Sequence, residues 1–102
     1  MAKLVVLYKT PANPAAFDDY YFSKHVPLAK AVPGLTKYEV NAGPIASPAG
    51  ASPYHLIALL SFGSMESLQQ SRGSPQSQAA AADLANFAQA GAELLVFDTK
   101  EV

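Results

Sequence analysis

Hydrophobic positions along this chain follow two rhythms, one of period two and one near 3.6. KLVVLYK, residues 3 to 9, is an unbroken aliphatic and β-branched run that stops at TPANP, which predicts a strand apolar on both faces. Asn13 and Pro14 then supply a cap and a first helical residue, and Asp18 and Asp19 lie near the positive end of the helix they open. Phe17, Tyr21, Leu28 and Val32 recur at helical spacing with Asp18, Asp19 and Ser23 off that stripe, so the helix runs to about Ala31. Pro27 interrupts it. A proline past the first turn removes one backbone hydrogen bond and clashes with the carbonyl four residues earlier, here that of Ser23, so a kink is expected near His25.

PGL, 33 to 35, reads as a turn, and TKYEVNAG after it alternates as a half-buried strand does. PIASPAGASP, 44 to 53, is loop sequence, and YHLIALLSF, 54 to 62, is the strongest strand signal in the chain. Ser64 caps a short helix, MESLQQSR, closed by Gly73. Ser74 and Pro75 repeat the device and open PQSQAAAADLANFAQ, whose apolar face is Leu84, Phe87 and Ala88; Gly91 ends it, and AELLVFDTKEV supplies a last strand. Strand, helix, strand, strand, helix, strand is the split βαβ order of an α+β, ferredoxin-like fold (βαββαβ) with a four-stranded antiparallel sheet, here a single domain over residues 1–102. Leu4, Val6 and Tyr8 alternate with Val5 and Leu7, and Leu56, Ala58 and Leu60 with Ile57 and Leu59, so both sheet faces are apolar. The helices cover only one face. A homodimer packed sheet to sheet is the economical cover for the other.

Composition removes several function classes. The chain has 102 residues, half of them hydrophobic and 15% charged, with a formal net charge of −1, which supplies neither the basic surface for nucleic acid nor a polybasic membrane anchor. With no cysteine, disulfides, thiolate metal sites and a nucleophilic thiol are excluded, and the cytoplasm is the expected compartment. The apolar run from Leu4 to Tyr8 is too short for a signal-peptide core or a membrane span. There is no phosphate-loop glycine pattern, no H-E-x-x-H and no paired acidic motif, so no cofactor and no metal is expected. The two histidines stand thirty positions apart, a poor ligand set, and haem ligation through His25 has no motif behind it.

His25 is the candidate for chemistry. It follows Tyr21 by one turn and lies within about 60° of Leu28 on a helical wheel, at the edge of the buried stripe. Two roles are open. The imidazole can satisfy a backbone carbonyl freed by Pro27, or it can act as a general acid/base in an apolar cavity, since histidine ordinarily titrates near pH 6.5. Tyr21 is placed to share its proton network. Tyr8, Tyr20, Tyr38 and Tyr54 are phenols of a kind that also serves sheet cores, and His55 reads as a strand-end surface residue pointing to the face opposite Tyr54. Asp18, Asp19 and Glu66 are explained by helix dipoles, whereas Asp83, Asp98 and Glu101 have no partner at ligand spacing.

In order along the chain, KLVVLYK, AFDDYYFSKHVPLAKAVPGLTKYEV with its Tyr-x3-His-x-Pro-Leu core, SPYHLIALLSFGSMESLQQ, SPQSQAAAADLANFA and LLVFDT resemble the EthD family, named for ethyl tert-butyl ether degradation, over essentially the whole length. The resemblance implies a ferredoxin-like subunit in a dimeric α+β barrel. Members are associated with breakdown of ethers and aromatics and with polyketide pathways, and similar barrels serve as cofactor-free monooxygenases, isomerases and cyclases. Tyr21, His25 and Pro27 match the family core. The expected function is therefore a homodimer that binds a small hydrophobic, aromatic or carbonyl-bearing molecule in a cleft between sheet and helices. His25 and Tyr21 are its catalytic candidates, and Tyr8, Tyr54 and Phe17 its ligand contacts. The alternative is a non-catalytic accessory or binding dimer of a multi-component degradation system. The insert from 44 to 53 departs from the family pattern and is read as a lid or as slack.

Overall fold

The computed structural model describes residues 1–102. Its first strand, β1 (Ala2–Lys9), is followed by a helical layer in three pieces: α1 (Pro14–Tyr20), a π-helical segment (Tyr21–His25) and α2 (Val26–Lys30). Next come β2 (Leu35–Val40), the two-residue strands β3 (Ala46–Ser47) and β4 (Gly50–Ala51), and β5 (Tyr54–Phe62). Then α3 (Met65–Arg72), α4 (Pro75–Phe87) and β6 (Ala92–Asp98) complete the chain. β2, β5, β1 and β6 form one four-stranded antiparallel sheet in that spatial order, the ferredoxin-like topology expected. The expected loop at 44–53 holds a minute hairpin of its own, β3 against β4.

The helix starts form as their sequences dictate. Asn13 Oδ1 accepts from the Ala16 amide at 3.1 Å, Ser64 Oγ from Ser67 and Ser74 Oγ from Ser77, each relieving an amide that the first helical turn leaves unpaired. The break at Pro27 takes a specific form. Instead of a simple kink, the turn widens, so that the Val26 amide donates to the Tyr21 carbonyl five residues back. One extra residue in the turn accommodates the proline at the start of α2 and holds both Tyr21 and His25 on the buried side. At the turn before β2, Gly34 has φ +81°, and a Cβ there would meet Ser67 Oγ at 2.8 Å. The positive φ favours glycine at this corner, and any larger residue would also have to push the Ser67 hydroxyl aside.

One sheet face, carrying Ala2, Leu4, Val6, Tyr8, Tyr38, Leu56, Ala58, Leu60, Phe62 and Val96, packs beneath the helices, with Phe17, Tyr21, Leu68 and Phe87 pressed onto it. The other face places Leu59, Val5 and Leu95 in one cross-strand row, with Ile57 and Leu7 in the next and Phe97 opposite Lys3. In the single chain that face is open: Leu59, Leu95 and Phe97 are 38%, 52% and 44% exposed. A register shift between Tyr8 and Lys9 sets Leu56 opposite Tyr8 but Tyr54 opposite Lys9, leaving His55 as the extra residue of a bulge. The bulge turns His55 under α1, where its Nε2 lies 2.7 Å from Asp18 Oδ1 and its ring meets the edge of Phe17. His55 is therefore partly covered and paired, where a free surface histidine was expected. No helix is long and apolar enough to cross a membrane.

Candidate functional site

Between the helix-covered sheet face and the helices lies a cavity of about 200 Å³, lined by 19 residues of which 14 are hydrophobic. Val6 and Tyr8 of β1, Tyr38 of β2 and Leu60 of β5 form its floor, and the π-helical segment contributes Tyr21 and His25. Residues 71–84 of α3 and α4 form the opposite wall. One turn apart on the same segment, Tyr21 and His25 lie with ring centroids 5.3 Å apart.

His25 is 5% exposed, and its hydrogen-bond partner is a side chain, not the backbone carbonyl that Pro27 frees. Its Nδ1 lies 2.9 Å from Asp83 Oδ2. Asp83 Oδ1 accepts from the Tyr20 hydroxyl at 2.6 Å and from Asn86 Nδ2 at 2.9 Å, so the carboxylate is held by three donors. Burial pushes the Asp83 carboxyl up, but the hydrogen bonds from Tyr20, Asn86 and His25 outweigh it and keep its pKa below the usual value. An ionised carboxylate only accepts, which assigns the Nδ1 proton to the imidazole and leaves the Nε2 lone pair free whenever the ring is neutral. Nε2 makes no hydrogen bond and is not sealed from solvent.

The phenols form a second group. Tyr21 and Tyr38 share a hydroxyl-to-hydroxyl bond of 2.5 Å, and Tyr8 packs its ring edge-on to Tyr21 at 5.5 Å. Burial first, and neighbouring phenols second, push Tyr8 and Tyr21 well above the ordinary tyrosine range, and burial raises Tyr38 as well. All three stay protonated at neutral pH. Two hydroxyls bonded to each other use one proton between them, so the Tyr21–Tyr38 pair keeps one for a third oxygen.

The expected site residues divide accordingly. His25, Tyr21 and Tyr8 line the cavity, but Phe17 and Tyr54 do not. Phe17 lies behind Tyr8 and Tyr21 as core, stacked on Tyr21 at 5.9 Å. The bulge at Lys9 carries Tyr54 to the far face of the sheet, where its hydroxyl donates to Glu93 Oε2 at 3.1 Å; that bond raises its pKa first, burial second. Asp83, which has no partner at ligand spacing along the chain, is the partner of His25. A signal for it was present: Asp83 precedes Phe87 by four residues and so shares the inward stripe of α4, where an acid needs a buried partner. Tyr38 was legible only as one phenol among several. Among the residues present there is no group of three or more His, Asp or Glu side chains placed to hold a metal.

A ferredoxin-like sheet with a cavity under its helices, floored by phenols and walled by a carboxylate-held histidine, defines a class of small α+β proteins. The EthD domain model matches residues 9–91. An uncharacterized 11.0 kDa protein of the thcB-thcC intergenic region of Rhodococcus erythropolis is 41% identical over 100% of this chain and 98% of its own. The chain belongs to the EthD family. The crystal structure of an EthD family protein from Bacillus halodurans superposes with a TM-score of 0.89 at 33% identity, covering 98% of this chain and 99% of that one. SnoaB, a cofactor-independent oxygenase from Streptomyces nogalater, shares the fold with a TM-score of 0.69 at 13% identity, covering 99% and 94%.

Proposed function

We propose that this protein is a homodimer that binds a small hydrophobic molecule bearing a carbonyl group, aromatic or aliphatic, in the cavity between sheet and helices, and that His25 moves a proton on it. The observation that carries this reading is the pairing of His25 Nδ1 with Asp83 at 2.9 Å in the wall of an apolar cavity that also holds the Tyr21–Tyr38 hydroxyl pair. Asp83 fixes the ring and stabilises the imidazolium that forms when Nε2 takes a proton, as a carboxylate does behind any histidine base. The phenol pair donates its spare proton to the ligand's carbonyl oxygen, so charge developing there upon removal of an adjacent C–H proton meets a donor already in place. The protonated Nε2 then returns the proton to a second position of the ligand or to water. The resemblance of the fold to SnoaB supports small-molecule chemistry in such a cavity by analogy only.

The homodimer is supported by the open sheet face. Val5, Leu7, Ile57, Leu59, Leu95 and Phe97 make a contiguous apolar field on it, an arrangement monomers rarely leave in water.

Deuterium exchange tests the chemistry. With phenylacetone in D2O, the protein is expected to accelerate exchange of the α-protons, and His25→Gln, which still offers Asp83 an N–H, is expected to abolish the acceleration at little change in melting temperature. Binding of phenylacetone without exchange in wild type would favour a non-catalytic accessory role in a degradation system, and no binding at all would overturn the cavity reading.

A further inference from the structure

Polar groups lining the cavity are few, and those on its floor and helical wall are engaged or gathered together: His25 bonds Asp83, Tyr21 bonds Tyr38 with Tyr8 beside it, and Ser71 Oγ donates to the Leu68 carbonyl. What is left uncommitted gathers where α3 meets α4. Arg72, the last residue of α3, lines the cavity although it is exposed, and so stands at its rim. It is the chain's single arginine. Its guanidinium enters none of the ion pairs or side-chain hydrogen bonds of the structure. Beside it, Ser77 lines the cavity with a hydroxyl that makes no hydrogen bond of its own, and Gln78 spends its amide only on a long, 3.4 Å contact to the Gly73 carbonyl.

We infer that the ligand carries a carboxylate, which Arg72, with Ser77 and Gln78 beside it, receives at the cavity rim. The inference rests on the cavity reading proposed above. An arginine offers a planar fork of donors that matches a carboxylate, and an apolar wall behind it lowers the local dielectric, so the pairing is stronger there than on open surface. The only acid that the cavity wall approaches, Asp83, is occupied by His25, Tyr20 and Asn86 and does not compete for Arg72. Spacing sets the ligand's shape. Ser77 and Leu84 both line the cavity from one helix and are seven residues apart, about 10 Å along its axis, so the wall is long enough for one molecule to rest a carboxylate at the rim and extend an oxygen inward. An aryl or alkyl keto acid has this form: carboxylate outward, carbonyl toward Tyr21 and Tyr38, hydrocarbon against Val6, Leu60 and Leu84.

A cation in the last turn of a helix also complements the helix dipole whatever it faces, so the test must read ligand charge and not stability alone. Calorimetric titration of the full chain with 3-benzoylpropionate and with its methyl ester provides that readout. The acid is expected to bind at least about tenfold more tightly than the ester, the difference that one charge-assisted hydrogen bond supplies. In Arg72→Gln that preference is expected to vanish with ester affinity unchanged, and in Arg72→Lys to survive in part. Equal binding of acid and ester by the wild type, or a preference that persists in Arg72→Gln, overturns this inference while leaving the cavity reading intact. Failure of both compounds to bind overturns the two together.

Discussion

Replacing Asp83 by asparagine exchanges one carboxylate oxygen for an NH2 group in the middle of a buried network, and the consequences follow from the donor count. Asp83 accepts from Tyr20, Asn86 and His25 at 2.6, 2.9 and 2.9 Å. Asparagine keeps one accepting oxygen for Tyr20 and Asn86 but presents N–H groups to His25 Nδ1. Two donors cannot face each other, so the imidazole must move its own proton to Nε2 and accept at Nδ1. Hydrogen bonds to a charged group contribute about 1.5–3 kcal/mol and neutral ones about 0.5–1.5, so three bonds each weakened by about 1 kcal/mol, partly offset by no longer burying a charge, give a net loss of about 2 kcal/mol. For a domain of this size that lowers the melting temperature by roughly 8–16 °C. Asp83→Ala, which strands the donors altogether, is expected to cost about 3–5 kcal/mol. Calorimetry measures the stability, and 15N chemical shifts of the histidine ring at a pH where it is neutral report the tautomer. An Asp83→Asn variant that keeps its proton on Nδ1, or that melts where the wild type does, would refute both the assigned tautomer and the role of Asp83 in holding His25. The expected Nε2–H tautomer also predicts loss of the base, and hence of phenylacetone exchange, in a folded protein.

Two further outcomes are expected. Because the Asp83 carboxyl titrates below its ordinary value in the fold but near 3.9 in the unfolded chain, its contribution is complete above about pH 4 and is lost as the pH falls through the folded value, where the unfolded chain binds the proton first. Melting temperatures taken from pH 7 down to pH 2 are expected to fall more steeply for the wild type than for Asp83→Asn, and parallel curves would contradict the assignment. On the open sheet face, Phe97→Glu places a charge in the apolar field and is expected to shift the protein from dimer to monomer in sedimentation equilibrium with its helical circular dichroism retained. A wild type that sediments as a monomer throughout would remove the sheet-to-sheet arrangement.

Much of this molecule was legible along the chain because its elements are locally punctuated. Asn13–Pro14, Ser64 and Ser74–Pro75 each mark a helix start that the structure reproduces, and the run from Tyr54 to Phe62 is a strand along its full expected length. Caps, prolines and period-two alternation act over a few residues, so they survive in the sequence as readable signals. The disturbance at Pro27 and the inward turn of His25 were legible for the same reason, and two apolar sheet faces already posed the question of a second copy.

Tertiary packing decided the rest. Pro27 required a break, but the local sequence did not say whether the helix would kink or widen; in the fold it widens, with Tyr21 and His25 both buried. The bulge opposite Lys9 sent Tyr54 to the far face and His55 beneath α1, a one-residue slip that alternation cannot announce because it reverses the alternation. The pairing of His25 with Asp83 spans 58 residues, and only the packing of α4 over the π-helical segment brings the two together. Local sequence thus determined where the elements begin, end and point their apolar stripes, since those are short-range steric and hydrogen-bonding effects. The chemistry of the cavity belongs to contacts between distant segments, where burial, not spacing along the chain, selects which polar side chains must find one another.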